Sequence, residues 1–357
     1  MSAHGRTEGV VLHEGRGLRS LLADALVGAR FVPVWIATAA LLLIASIIAP
    51  AALQNTSWAF VLPYMTVLAI AALGQMLVIM HAGIDLSTPG VMFLGGYVIV
   101  GVGHHSNGRL WIAILACLGV GVLVGFVNGI LVGILQLNPL IVTLSVGYIV
   151  VAEGLRYSKG LAEAVVPSRL SDFAQNRPVG IISLVFWVGA AITLAVALLL
   201  RYTAPGRRFQ AVGANPRAAW MAGIRVRAYV VFAYTAAGTL YATAAVLLAG
   251  VRISVDPAFG ASYLLAPIAA VVIAGASLGG GLASATSTWV AAFALTLLNQ
   301  MLLILGIATG WQFIVFGAAI IVGMLISGDR IASLIGRLLR PRTAPTPIAP
   351  ALDQETG

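Results

Sequence analysis

Residues 201–229 read RYTAPGRRFQAVGANPRAAWMAGIRVRAY, and apolar runs of membrane length flank them on both sides. The stretch holds six arginines (Arg201, Arg207, Arg208, Arg217, Arg225 and Arg227) and no acidic residue. In a chain that is 60% hydrophobic and 9% charged, such a stretch reads as a loop between two membrane helices. Short loops rich in arginine stay on the cytoplasmic side. Orientation alone leaves the rest of the pattern unexplained. Asn215-Pro216 can start a helix, Arg217 to Ala222 is good helix material, and Gly223 closes it. The expectation is a short cytoplasmic helix held between two spans, a piece that another protein can grip.

Composition agrees. A mean hydropathy of +1.02 and several apolar runs of at least eighteen residues indicate a polytopic, all-α membrane protein. Forty glycines fit the same class, because small residues let membrane helices approach closely. The net charge of +9 sits in loops and tails, so membrane orientation explains it better than nucleic acid does. Cys117 is the single cysteine, which rules out a disulfide framework and a thiolate metal site. No cleavable signal is expected, since about thirty mostly polar residues precede a first span long enough to stay.

Outward from the arginine stretch, about ten spans are expected, at 31–49, 58–80, 89–104, 110–135, 139–157, 179–200, 229–250, 262–277, 283–305 and 311–327. The third and eighth are short for a bilayer, as discontinuous helices around a pathway are. An even number of spans puts both termini on one side. Arginines at both ends (Arg6, Arg16, Arg19 and Arg30; Arg330, Arg337, Arg340 and Arg342) make that side the cytoplasm. The chain then divides into a cytoplasmic segment at 1–30, able to form a surface helix, a permease region at 31–328 with its loop at 201–228, and a disordered cytoplasmic tail at 329–357. A second break, HAGIDLSTPG at 81–90, places Asp85 in apolar surroundings. AGASLGGG at 274–281 echoes it faintly and hints at an internal repeat.

Catalytic chemistry finds no support. There is no phosphate-binding G-x-x-x-x-G-K-[ST], no G-x-S-x-G and no H-E-x-x-H, and the only lysine is Lys159. The pair His104-His105 falls short of the three or four ligands a metal site needs. What remains is a set of polar residues within the apolar region: Gln75, Asp85, Ser87, Asn128, Asn138, Thr143, Asn299, Gln300 and Gln312 as candidates for a substrate pathway, with Ser145, Tyr148 and Glu153 beside them. Any one of these can serve only helix–helix hydrogen bonding. Together they offer amides and hydroxyls with little charge, which suits a neutral polyol. An ion-coupled carrier needs embedded carboxylates or histidines, and only Asp85 and Glu153 qualify, both near span ends.

Four segments, in order, carry a family resemblance. GQMLVIMHAGIDLSTPGVMFLGGYV (74–98) is similar to G-x-T-x-V-I-x-x-G-G-I-D-L-S. NGILVGILQLNPLIVTLSVGYIVVAEGLRYSKG (128–160) is similar to an N-G stretch followed by P-x-I-x-T-L. GRRFQAVGANPRAAWMAGIRV (206–226) is similar to G-R-x-x-x-A-x-G-x-N-x-x-A-A-x-x-S-G-I. Residues 270–312, from AVVIAGASLGGG to GWQ, are similar to A-x-V-x-G-G-T-S-x-x-G-G and L-N-N-G. These are segments of the permease subunits of ribose, xylose and galactose-type ABC sugar importers, within a superfamily that also carries branched-chain amino acids and nucleosides.

The resemblance implies a transport subunit without a cofactor of its own, in the bacterial cytoplasmic (inner) membrane. Its implied partners are an ABC ATP-binding subunit that holds the ATP, a periplasmic or lipid-anchored sugar-binding protein, and a second permease, identical or homologous. No nucleic acid is implied. The arginine loop resembles the coupling helix that docks on the ATPase, through Gly206, Arg207, Arg208, Gly213, Asn215, Ala218, Ala219 and Gly223. The chemistry of the loop suits that role: a small-residue helix fits a cleft, and arginines pair with carboxylates. The chain departs from the pattern at His81, Ala82, Ala276, the segment SATSTWV (284–290) and Gln300, which bears on the identity of the sugar. The alternatives are a nucleoside or branched-chain amino acid substrate, and an ion-coupled secondary transporter.

Overall fold

A computed structural model describes residues 31–104, 106–159 and 164–307, with single positions 310, 311, 314, 317, 318 and 321. The segment 1–30, most of the expected tenth span, Gln312 and the tail 329–357 lie outside the described residues. Among the described residues the chain forms twelve α-helices and two isolated β-bridges. The helices are α1 (Val32–Ile48), α2 (Asn55–Ile79), α3 (Thr88–Gly103), α4 (Leu110–Gly129), α5 (Pro139–Ser158), α6 (Ser168–Gln175), α7 (Leu184–Tyr202), α8 (Ala204–Ala214), α9 (Pro216–Met221), α10 (Val226–Arg252), α11 (Ala266–Ile273) and α12 (Ala285–Ile304).

Among the described residues, six stretches are long and apolar enough to cross a membrane: α2, α4 with its flanking turns, α5, α7, α10 and α12. Shorter apolar helices are α1, α3 and the segment Ala261–Ile273 that ends in α11. Each of the first nine expected spans overlaps one of these. The eighth differs most: within 262–277 the α-helix covers only Ala266–Ile273. Pro267 stands at its start, and Gly275 at φ +94° ends it. The sixth begins at Leu184, because Val179 and Ile182 close a tight turn before it.

Two long helices make the centre. α2 is buried over most of its length, and α10 packs against α2, α3 and α4. Glycine decides how closely α4 and α10 approach. Gly121, Gly125, Gly129 and Gly133 recur every fourth residue and line one face of α4 and its π-helical extension, Ile130–Ile134. A Cβ on Gly121 would run into the carbonyl of Gly238, and one on Gly125 into that of Tyr234. On Gly129 it would come within 2.8 Å of the Val231 carbonyl oxygen, and on Gly133 within 3.1 Å of that of Arg227. Backbone contact of this kind replaces the hydrophobic drive that membrane helices lack between themselves. α3 and α5 pack on the α4 side, while α11, α12 and α7 pack against α2, and α1 packs on α12. Large apolar side chains such as Ile47, Trp111 and Leu115 are exposed, as lipid contact requires.

Candidate transport site and coupling junction

Five of the candidate polar residues meet at one buried point. The loop after α2 turns back at Ala82, whose φ is +57°, and runs extended to Ser87. Asp85 Oδ1 accepts from the Ser87 backbone N–H at 2.9 Å and from its hydroxyl at 2.6 Å. Asn128 of α4 donates from Nδ2 to Ser87 Oγ at 2.9 Å. Thr143 of α5 accepts the Leu86 N–H at 2.9 Å and faces the Ile84 carbonyl at 3.2 Å. Gln75 grips the same loop from α2. With its amide set to satisfy both groups, its oxygen accepts the Asp85 N–H at 3.1 Å. Its nitrogen then donates to the Asp85 carbonyl and to the Tyr241 hydroxyl, both at 3.0 Å. Gln75, Asp85, Ser87, Asn128 and Thr143 are all buried. They form a latch that ties a non-helical loop to α2, α4, α5 and α10. Irregular backbone at membrane depth is stable only when its polar groups are satisfied by protein in this way.

The other candidates lie elsewhere. Asn138 caps α5, its Oδ1 accepting the N–H groups of Leu140 at 3.0 Å and Ile141 at 3.4 Å. Glu153 pairs with Arg156 one turn on, and both are exposed on the outer face of α5. Asn299 and Gln300 line a cavity of about 300 Å³ at the far end of α12, together with Tyr64, Arg252 and others. Along α2 the sixteen steps from Tyr64 to its C-cap Met80 put that cavity about 24 Å from the arginine helices.

The arginine stretch folds into two helices. α9 matches the expected short helix: Asn215 caps it by accepting the Ala218 N–H at 3.0 Å, and Gly223 at φ +78° ends it. α8 was not expected, because Pro205, Gly206 and Gly213 look like breaks. Thr203 caps it, accepting the Gly206 N–H at 3.1 Å, and Pro205 sits in the first turn, where its missing N–H costs nothing. α8 folds back on α7. A Cβ at Gly206 would strike the Leu199 carbonyl. Gln210 donates to the Leu200 carbonyl at 2.7 Å, and Arg207 to that of Tyr202 at 3.1 Å. Arg207 therefore already caps the end of α7, while Arg208 is exposed and free of such a role. Ala219 is buried and Ala218 exposed, but the large exposed side chains of α9 are Trp220 and Met221.

Three breaks in the sequence converge where α8 ends. The Gly281 N–H donates to the Met80 carbonyl at 3.0 Å. A Cβ on Gly213 would run into that same carbonyl, and one on Gly280 would lie 3.2 Å from the Ala82 nitrogen and the Gly213 oxygen. The His81 ring meets the edge of Phe209 of α8 at 4.3 Å between centroids. Thus α8 rests on residues 80–82, and that segment runs directly into the Asp85 latch. Sequence reasoning passed over Tyr241, Phe209, Tyr64 and Arg252. Three are aromatic and read as core or interface packing, and Arg252 reads as an anchor at a span end.

Residues 57–324 match the family model described as branched-chain amino acid transport system / permease component. The chain is 33% identical to a fructose import permease protein of Rhizobium meliloti, over 74% of this chain and 76% of the relative. It is 31% identical to a ribose import permease protein of Escherichia coli K12, over 76% and 85% of the two chains. It is 32% identical to a galactofuranose transporter permease protein of the same organism, over 75% and 78%. No solved structure matches it. The helical bundle, its buried polar latch and these relatives agree: the chain is a multi-pass membrane transport subunit and belongs to the branched-chain amino acid transport system / permease component family.

Proposed function

We propose that this chain is the membrane permease of an ATP-driven importer that carries a monosaccharide or related polyol across the bacterial cytoplasmic membrane. The observation that carries this reading is the set of relatives, named for import of ribose, fructose and galactofuranose, aligned over about three quarters of the chain. The polar groups support it, being amides and hydroxyls in the main. A separate ABC subunit binds and hydrolyses ATP beneath α8 and α9, and a binding protein delivers sugar at the opposite face. Both termini and the arginine helices face the cytoplasm, and the spans number ten.

Arg208, Arg217, Trp220 and Met221 are the exposed groups that meet the ATPase. Movement there passes through Gly213 and Phe209 to Met80 and His81, and so to the Asp85 latch. Repacking of the latched loop against α4 and α5 then alternates access. The exposed Glu153–Arg156 pair suits contact with a second permease, since a charged pair facing lipid is costly.

The test is a mild-detergent purification of the tagged chain from its native membrane. An ATPase subunit at one copy per permease is the expected result. A chain that comes down alone contradicts the reading.

A further inference from the structure

At the end of the bundle away from the arginine helices, α2, α10 and α12 leave a cavity of about 300 Å³, at the lower end of the ~300–1,000 Å³ usual for small-molecule sites. Phe60 and Tyr64, one turn apart on α2, stack with ring centroids 4.4 Å apart at 30°. Arg252, the last residue of α10, stands in the lining with Ser262, Asn299 and Gln300. Arg252 is held in place. Its Nη2 donates to Asp256 Oδ2 at 2.5 Å, and its guanidinium carbon lies 5.9 Å from the Phe259 ring centroid. The other carboxylate oxygen, Oδ1, accepts the Ala258 N–H at 2.9 Å. Asp256 thus has both oxygens engaged and is not part of the lining.

The cavity therefore presents a guanidinium with further donors, two amides, the hydroxyls of Tyr64, Ser262, Tyr263 and Thr296 and an aromatic face, with no free carboxylate. Sugar hydroxyls both donate and accept, which amides and hydroxyls can answer in either sense. The C–H face of a sugar ring suits the aromatic wall. An amino acid would bring an ammonium group and find no anion for it. The charge of Arg252 is balanced by Asp256, so a sugar acid gains no net attraction for the water it must shed.

We propose that this cavity is a monosaccharide subsite on the outer side of the permease, in which Arg252 binds sugar hydroxyls and Asp256 sets the preference for neutral over acidic sugars. The proposal rests on the sugar-importer reading and names the site that serves it.

Two linked experiments on the complex purified through this chain test it. Uptake into vesicles is measured with D-ribose, D-fructose, D-galactose and D-galacturonate. Thiol labelling is measured alongside with Leu303→Cys, a half-exposed apolar position lining the same cavity. The chain's single native cysteine, Cys117, is buried, so the new thiol is the reactive one. A sugar that the unaltered complex accumulates, present at ten times its half-saturating concentration, slows external labelling about elevenfold. Met221→Cys on α9, labelled from the cytoplasmic side, shows no protection. Arg252→Gln lowers uptake of that sugar and removes the protection. Asp256→Asn raises galacturonate uptake relative to the neutral sugar about tenfold. Uptake of a sugar with labelling at residue 303 unchanged overturns the subsite and leaves the importer reading standing. Uptake of none of the sugars overturns both. Should Arg252→Gln fail to assemble, an unaltered acid-to-neutral ratio in Asp256→Asn decides against the proposal.

Discussion

Asp85 and Gly213 show how much rests on single atoms here. Asp85 Oδ1 takes two donors from Ser87, and Asn retains that oxygen while Ala does not. Each buried donor left without a partner costs ~1–3 kcal/mol. Asp85→Ala is therefore expected to lower thermal stability and membrane yield sharply. Asp85→Asn is expected to assemble and to leave the substrate profile unchanged; a changed profile with normal stability would place Asp85 in the substrate route instead. Gly213 is a different case, since its constraint is space. A Cβ there meets the Met80 carbonyl, so Gly213→Leu must push α8 off the 80–82 segment. The expected result is retained ATP hydrolysis with uptake reduced about 5–150-fold, the usual range of coupling energies. ATP hydrolysis and uptake are measured on the same vesicles, and parallel loss or full retention of both counts against the junction.

At the scale of elements, the α4 stripe sets the spacing of the central helices. Gly125→Leu is expected to prevent assembly, because its side chain would enter the backbone of α10 at Tyr234. Gly119→Leu, on the same helix with nothing within 4 Å, is expected to be tolerated. Monodispersity in detergent reads both. Apolar length made α2, α4, α5, α7, α10 and α12 readable from the chain, and Asn215 with Gly223 made α9 readable through its caps. α8 was hidden because Gly206 and Gly213 serve close approach, which sequence cannot distinguish from helix breaking. The eighth span was overdrawn because hydropathy does not register the positive φ of Gly275. The latch residues were each visible as polar groups in apolar surroundings. Their convergence was not, since Asn128 reaches Ser87 across 41 residues and Tyr241 reaches Gln75 across 166. On α9, Trp220→Ala is expected to reduce ATPase co-purification while insertion stays normal; unchanged stoichiometry would move the docking face away from α9.

At the scale of the molecule, the arginine helices and the cavity that holds Arg252 occupy opposite ends, with the latch between them and nearer the arginines. Such an order suits a machine in which ATP-driven force enters at one face and substrate at the other. Orientation follows from the same order: a thiol placed at Met221 is expected to react only with reagents that reach the cytoplasmic side, and one at Leu303 only from outside. In the proposed function ATP, through a partner, drives sugar through this chain. The most direct measurement is uptake of labelled sugar into vesicles holding the purified complex, with ATP sealed in the compartment that faces the arginine helices, compared with an imposed proton or sodium gradient and no ATP. Accumulation with ATP and none with the gradients is the expected result. Accumulation on a gradient without ATP would contradict the proposed function.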